Sequence, residues 1–138
     1  MGRLVMRASE ARVYLCGPIN NRTDEDCKDW REWVKSKWPG KTLDPMRRDY
    51  RGKENENVNQ IVEFDKIDLM NSDIILVNYD GPSVGTTMEI LYAFERGKWV
   101  IVVAPEGTQI SPWLRYHSHV IVRSFADALR WVELVVMQ

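Results

Sequence analysis

Two spacings of apolar residues alternate along the chain. Short runs rich in branched side chains, RVYLC (Arg12–Cys16), DIILVNY (73–79), WVIVV (Trp99–Val103) and HVIVR (119–123), read as strands. Between them apolar residues recur every three or four positions. Cys27, Trp30, Val34 and Trp38 fall on one face of a helix in TDEDCKDWREWVKSKW (23–38). Thr23 stands there as N-cap, with Asp26 three residues on, and Pro39-Gly40 ends the helix. A short strand KTLD (41–44) follows, then MRRDYRGKENEN (46–57), a charged loop without periodicity. VNQIVEFDKIDLM (58–70) predicts an amphipathic helix, with further helices over about 87–96 and from 125 onward.

DIILVNY is almost continuously apolar, as expected of a strand covered on both faces. Five strands separated by helices predict an α/β fold: a flavodoxin- or Rossmann-like three-layer sandwich with a five-stranded parallel sheet, order 2-1-3-4-5. Ligands of such sheets sit beyond the carboxyl ends of the strands, where the strand order reverses. That rule selects the loops after the first and third strands, GPINNR (17–22) and YDGPSVGTT (79–87). With no repeat or linker, residues 1–138 are expected to form a single domain.

Composition narrows the function classes. A formal net charge of −1 over 138 residues argues against a general nucleic-acid or membrane surface. The start, MGRLVMRASEARVYLCG, has too short an apolar run for a signal peptide, and no later stretch approaches a membrane span. Met6 occupies the place where a myristoylation signal carries Ser or Thr. Cys16 and Cys27 match no metal spacing and are expected as free core thiols. A cytoplasmic protein without metal or cofactor is the expectation.

Candidate chemistry gathers at the selected loops. Gly17, Pro18, Ile19 and Asn20 form a turn whose N–H groups could face a ligand. Ser83, Val84, Gly85, Thr86 and Thr87 precede a helix whose N-terminal dipole favours an anion. Tyr14, Asp65 and Glu89 are polar where the local pattern is apolar or half-buried. Each has a plainer reading: a connecting turn, a core tyrosine, an exposed acid, an acid complementing a helix dipole.

VYLCGPI, the acid at Asp65, SDIILVNYDGPSVGTTMEILYAFERGKWVIVV and SPWL, taken in order and spacing, resemble the nucleoside 2-deoxyribosyltransferase superfamily. That group includes deoxyribosyltransferases and nucleoside 5′-monophosphate N-glycosidases, and the likeness spans residues 13–114. The resemblance implies that Glu89 is the nucleophile attacking C1′ of the sugar, that Tyr14 orients it, and that Asp65 helps the base depart. An adjacent carboxylate suits an oxocarbenium-like transition state.

In the transferases of this superfamily the position six before the nucleophile is typically aspartate; here it is Ser83. The resemblance thereby implies a phosphate site built from Ser83, Gly85 and the Gly17–Asn20 turn, with Ser111 contributed by a neighbouring subunit. The monophosphate hydrolases carry an arginine where this chain has Asn20, so Arg22, or Arg47, Arg48 or Arg51 of the charged loop, is expected to supply the charge. His117 reads as structural. Trp113 reads as a base-stacking or interface residue, and Trp30, Trp38, Trp99 and Trp131 as core.

The expectation is therefore a homodimer or higher homo-oligomer with shared active sites, acting on a small nucleotide and on no nucleic-acid polymer or membrane. Its reaction would be hydrolysis of the base–sugar bond of a (deoxy)nucleoside 5′-monophosphate through a glycosyl-enzyme. Base exchange by a deoxyribosyltransferase is the alternative. A non-catalytic nucleotide-binding protein is a rival of another class. A cytokinin-activating phosphoribohydrolase ranks third, since its Pro-Gly-Gly before Gly-Thr is missing.

Overall fold

The computed structural model describes residues 8–137; the signal-peptide and myristoylation readings fall largely on residues outside them. Five strands form one parallel sheet: β1 (Arg12–Cys16), β2 (Lys41–Leu43), β3 (Ile74–Asn78), β4 (Trp99–Val103) and β5 (Val120–Val122). Their order is β2-β1-β3-β4-β5, as the alternation of patterns predicts. Pairing aligns Tyr14 with Leu43 on one side and Ile75 on the other, so the middle of β1 lies deep in the sheet.

Helices cover both faces. Below the sheet lie α1 (Trp30–Lys37) and α5 (Phe125–Val136); above it lie α2 (Val58–Asn71), α3 (Val84–Glu95) and the short α4 (Pro112–Tyr116). The period-2 geometry of a strand assigns alternate residues to these layers. Val13, Leu15, Ile74, Leu76, Ile101 and Val103 pack on α1 and α5 through Trp30, Val34, Ala128 and Val132. Tyr14, Cys16, Ile75, Val77, Val100 and Val102 pack on α2, α3 and α4 through Leu69, Ile90, Ala93 and Leu114.

Local rules set the element ends. The Thr23 hydroxyl accepts from the Asp26 N–H at 3.1 Å, as the cap pattern predicts. The chain then enters the helix through a π-type turn, Glu25–Asp29, before α1 begins at Trp30. That turn seats Cys27 inward, and both cysteines are buried free thiols. Trp38, extended at ψ 125°, ends α1 before Pro39. Trp30 and Trp38 are core residues as expected, whereas Trp99 and Trp131 are 37% and 43% exposed. Trp99 begins its strand, where the sheet is no longer covered on both faces, and it lies against His119 instead of entering the core.

Candidate active site

The ends of β1 and β3 and the first turns of α3 enclose a crevice of about 350 Å³, with the β2–α2 segment forming its other wall. Gly17 is where β1 leaves the sheet. A Cβ there would meet Trp30 at 3.0 Å and Asn78 at 3.3 Å, so only glycine lets the chain turn this close to β3. The turn residues Gly17, Pro18, Ile19 and Asn20 all line the crevice, as do Ser83, Val84, Gly85 and Thr86. Ser83 holds the N-cap position of α3 in extended conformation (φ −150°), yet its hydroxyl caps no N–H and bonds Thr86 Oγ1 at 3.1 Å instead. The first N–H groups of α3 are thus left without a side-chain cap beside the crevice.

Glu89, one turn further along α3, points back onto β1. The Tyr14 hydroxyl donates to its Oε2, and Cys16 Sγ lies 3.8 Å from its Oε1. Tyr14 and Cys16 are alternate residues on one strand face, so β1 meets both carboxylate oxygens at once. Burial, then the charge of Asp65, push the Glu89 carboxyl up to about 8, against the opposing Tyr14 bond and the Arg31 charge. Asp65 on α2 completes the group at the crevice wall. Burial raises its pKa, and the nearby Arg48 guanidinium restrains the rise. Tyr14 and Cys16 are pushed well up by burial and the Glu89 charge, so the phenol and the thiol remain protonated donors. Two carboxyls near one another, each reluctant to ionise, can divide nucleophilic and proton-transfer work.

The family model for the nucleoside 2-deoxyribosyltransferases matches residues 13–129. The chain belongs to that family. The structure of the 2-deoxyribosyltransferase of Bacillus psychrosaccharolyticus superposes with a TM-score of 0.71 at 20% identity, over 89% of this chain and 90% of that one. A conserved protein of Enterococcus faecalis V583 gives 0.70 at 14% identity, covering 91% of this chain and 99% of that one. The CMP N-glycosidase BcmB of Clostridium botulinum gives 0.57 at 18% identity, covering 88% and 98%. No curated protein sequence matches the chain. These structural likenesses establish the fold; the family match establishes an enzyme acting on the base–sugar bond of nucleosides.

Within this member of the family the candidate arginines part company. Arg48 and Arg51 line the crevice. Arg48 reaches Asp68 at 2.7 Å and Asp65 at 3.4 Å, while Arg51 is held by Asp24 and Asp49 and donates to the Arg22 carbonyl. Arg22 and Arg47 are not among the lining residues. Arg22 forms a two-pronged pair with Asp80 at 2.9 and 3.0 Å, tying the β1 and β3 loops together, and Arg47 pairs with Asp68 at 2.7 Å. Asn20 is exposed at the rim.

Ser111 lies outside the crevice. Its hydroxyl caps α4 by accepting from the Leu114 N–H at 3.1 Å, and it borders a separate groove of about 260 Å³ with Trp113 and His117. His117 is buried, stacked on Trp113 and bonded to the Trp113 carbonyl, as a structural histidine would be. A third groove, about 480 Å³ and largely apolar, runs between α2 and α3 and shares Asp65 and Glu89 with the crevice. Among the described residues no cluster of three or more His, Cys, Asp or Glu side chains could hold a metal ion. No helix among them is long and apolar enough to cross a membrane.

Two further charged residues belong to the surroundings of the site and are not among the candidates read from the sequence. Arg31, beside Trp30 in a charged helical stretch, is fully buried. Asp68 is buried beneath Arg47 and Arg48, although its i+3 spacing from Asp65 puts both acids on one face of α2. That spacing was the available signal for Asp68; Arg31 had none.

Proposed function

We propose that the chain is a glycosyl-transferring enzyme in which Glu89 displaces a base from a deoxynucleoside or its 5′-monophosphate and a second base then displaces Glu89. The observation that carries this reading is Glu89 itself, a carboxyl held by Tyr14 in a crevice that also contains Asp65. In the first step the C1′–N bond breaks, a Glu89 oxygen bonds C1′, and the departing nitrogen takes a proton from Asp65. In the second, the incoming base nitrogen bonds C1′, Glu89 leaves, and the lost proton returns to Asp65. The family match and the Bacillus psychrosaccharolyticus transferase favour a base as the acceptor.

A second reading keeps the first step and lets water complete it, releasing a sugar 5-phosphate. Ser83 favours it: a hydroxyl lines the crevice beside uncapped α3 N–H groups, where a carboxylate would repel a phosphate dianion. Arg48 and Arg51 are the cations placed to assist there, and Arg22 and Arg47 are engaged elsewhere.

Apolar side chains left exposed on the same side of the sheet support a shared site between copies. Val62, Ile67 and Met70 of α2, Val84 and Met88 of α3, and Trp113 and Tyr116 of α4 all face solvent. Ser111, at the start of α4, would then reach a neighbour's crevice.

Chromatography of free base decides among these readings. The protein is incubated with nucleosides and their 5′-monophosphates, each with and without a second free base. Exchange that requires the acceptor supports transfer, and base released from monophosphates in water alone moves the assignment to the hydrolase. Silence across the panel overturns both. Ser83→Asp is expected to raise KM for a monophosphate about thirtyfold by charge repulsion, with nucleoside KM little changed. Equal effects on both substrates would remove Ser83 from the phosphate site.

A further inference from the structure

Arg31 is the one fully buried arginine among the described residues, and the proposed chemistry makes no use of it. A guanidinium keeps its charge even when burial lowers its pKa, so its partners need accounting for. Its Nε donates to the Leu15 carbonyl at 3.2 Å, Nη2 to the Gly17 carbonyl at 3.1 Å, and Nη1 to the Cys27 carbonyl at 2.6 Å. Its Cζ lies over the Trp30 ring, 4.6 Å from the ring centre. Three backbone oxygens, two at the exit of β1 and one in the turn before α1, are thus gathered on one rigid fork.

The nearest carboxylate is shared with a second cation. Asp44 lies 3.6 Å from Nε, but it is also held by Lys35 at 2.5 Å and accepts from the Met46 N–H at 2.8 Å. Lys35 pairs in turn with the exposed Glu32 at 3.0 Å, so Asp44 joins the buried guanidinium to an ion-pair chain that ends at the surface. The Arg31 guanidinium itself sits beneath the end of β1, on the side opposite the crevice. Cys16, between the two carbonyls Arg31 holds, is also the residue whose thiol faces Glu89.

We infer that Arg31 is a positioning residue: through the Leu15, Gly17 and Cys27 carbonyls it ties the end of β1, where the Gly17–Asn20 turn begins, to the turn before α1, and it supplies a standing positive charge behind Glu89. The inference rests on the reading of Glu89 as nucleophile. The titratable and charged groups that act on Glu89 are Tyr14 and Cys16 from β1 and Asp65 from α2 on its own side of the sheet, and Arg31 from α1 on the far side of β1, with Arg48 acting on Asp65. Asp65 and burial oppose ionisation of Glu89, whereas Arg31 is the lone cation among these groups that favours it. Its fork and its charge make separable demands. Lysine keeps the charge but cannot span three acceptors in a plane; methionine fills similar space and loses both.

The test is the rate of base release against pH, with kcat and KM resolved, for the full-length wild type, Arg31→Lys, Arg31→Met and Asp44→Asn. In Arg31→Met the midpoint at which rate rises with pH is expected to move up by about one pH unit, with KM about tenfold higher. Arg31→Lys should restore the midpoint while keeping the raised KM, because charge returns and the turn stays loose. Asp44→Asn leaves Arg31 less neutralised, and its midpoint should move down. Circular dichroism checks the fold of each variant, and if Arg31→Met does not fold, Arg31→Lys and Asp44→Asn still decide. Unmoved midpoints in Arg31→Met and Asp44→Asn overturn the inference, as does a midpoint in Arg31→Lys that moves as far as in Arg31→Met. A wild type that releases no base overturns the proposed reaction itself, a result distinct from an active enzyme whose midpoints stay put.

Discussion

The two faces of β1 make different uses of the same five residues. Val13 and Leu15 point into the layer under α1 and α5, where the buried side chains are apolar or aromatic apart from Arg31, whose guanidinium is engaged by backbone carbonyls. Tyr14 and Cys16 point into the layer under α3, where they meet a carboxylate that burial holds mostly protonated. The first layer gains stability from each group taken out of water. The second gives some of it up, because a half-buried carboxyl with a second acid nearby opposes the compact state whenever it ionises. One strand can do both because neighbouring side chains face opposite ways, so the chemistry is carried on a segment that the other face anchors.

The sharpest way to separate the faces is to truncate one residue on each. Glu89→Ala is expected to lower base release about a thousandfold or more, because the variant lacks the carboxylate proposed to bond C1′. Its melting temperature should hold or rise, since the residue removed is one the fold strains to accommodate. Leu15→Ala should do the opposite. Loss of a fully buried side chain costs about 2–5 kcal/mol in denaturant titrations, with kcat near wild type in the protein that stays folded. If Glu89→Ala melted early while Leu15→Ala lost its chemistry, the division between the layers would be wrong.

Asp65→Asn is the next step down. Its proton is needed most when the departing base is a poor leaving group, so the loss should approach about a hundredfold there and shrink for activated bases. A uniform loss across leaving groups would make Asp65 a binding residue. The same variant removes the charge that helps push Glu89 up, so the rate should also begin to rise at lower pH than in the wild type.

This contrast explains which features the sequence could reveal. The strand order and the covering of both faces follow from the continuous apolar runs and the helical spacings between them, and all five strands stand where those patterns put them. Tyr14, Asp65 and Glu89 could be singled out because each interrupts an apolar pattern, and the sheet brings Tyr14 and Glu89 into contact across 75 positions. The arginines were not legible in the same way. Arg22 in the first loop and Arg47, Arg48 and Arg51 in the charged one look alike in sequence; each meets an acid in space, and only placement, Arg48 and Arg51 along the crevice and Arg22 and Arg47 away from it, tells them apart. Arg31 was hidden more thoroughly: a long basic side chain on a helix ordinarily reaches water, and nothing local shows that this one turns under β1 to collect carbonyls. Trp99 and Trp131 differ in the other direction, since hydrophobicity alone does not say whether the first residue of a strand, or the outer edge of a helix, is covered.

Tyr14→Phe should give the smallest change, and one that depends on pH. The hydroxyl donates to the ionised form of Glu89 and so lowers a pKa that burial and Asp65 have raised to about 8. Without it the carboxyl moves further up, and the fraction ready to attack at neutral pH falls by less than about tenfold for an upward move of under one pH unit. Above about pH 10, where Glu89 is ionised in both proteins, the rates should converge if the bond acts only on the charge state. A loss that persists there would show that Tyr14 aims the carboxylate as well as helping to ionise it. Stability should barely move, because the ring stays packed on Ile75 and Leu43 whether or not it carries the hydroxyl. A measured rate–pH curve for this one variant therefore separates orientation from ionisation at the point where the two layers of the molecule share a strand.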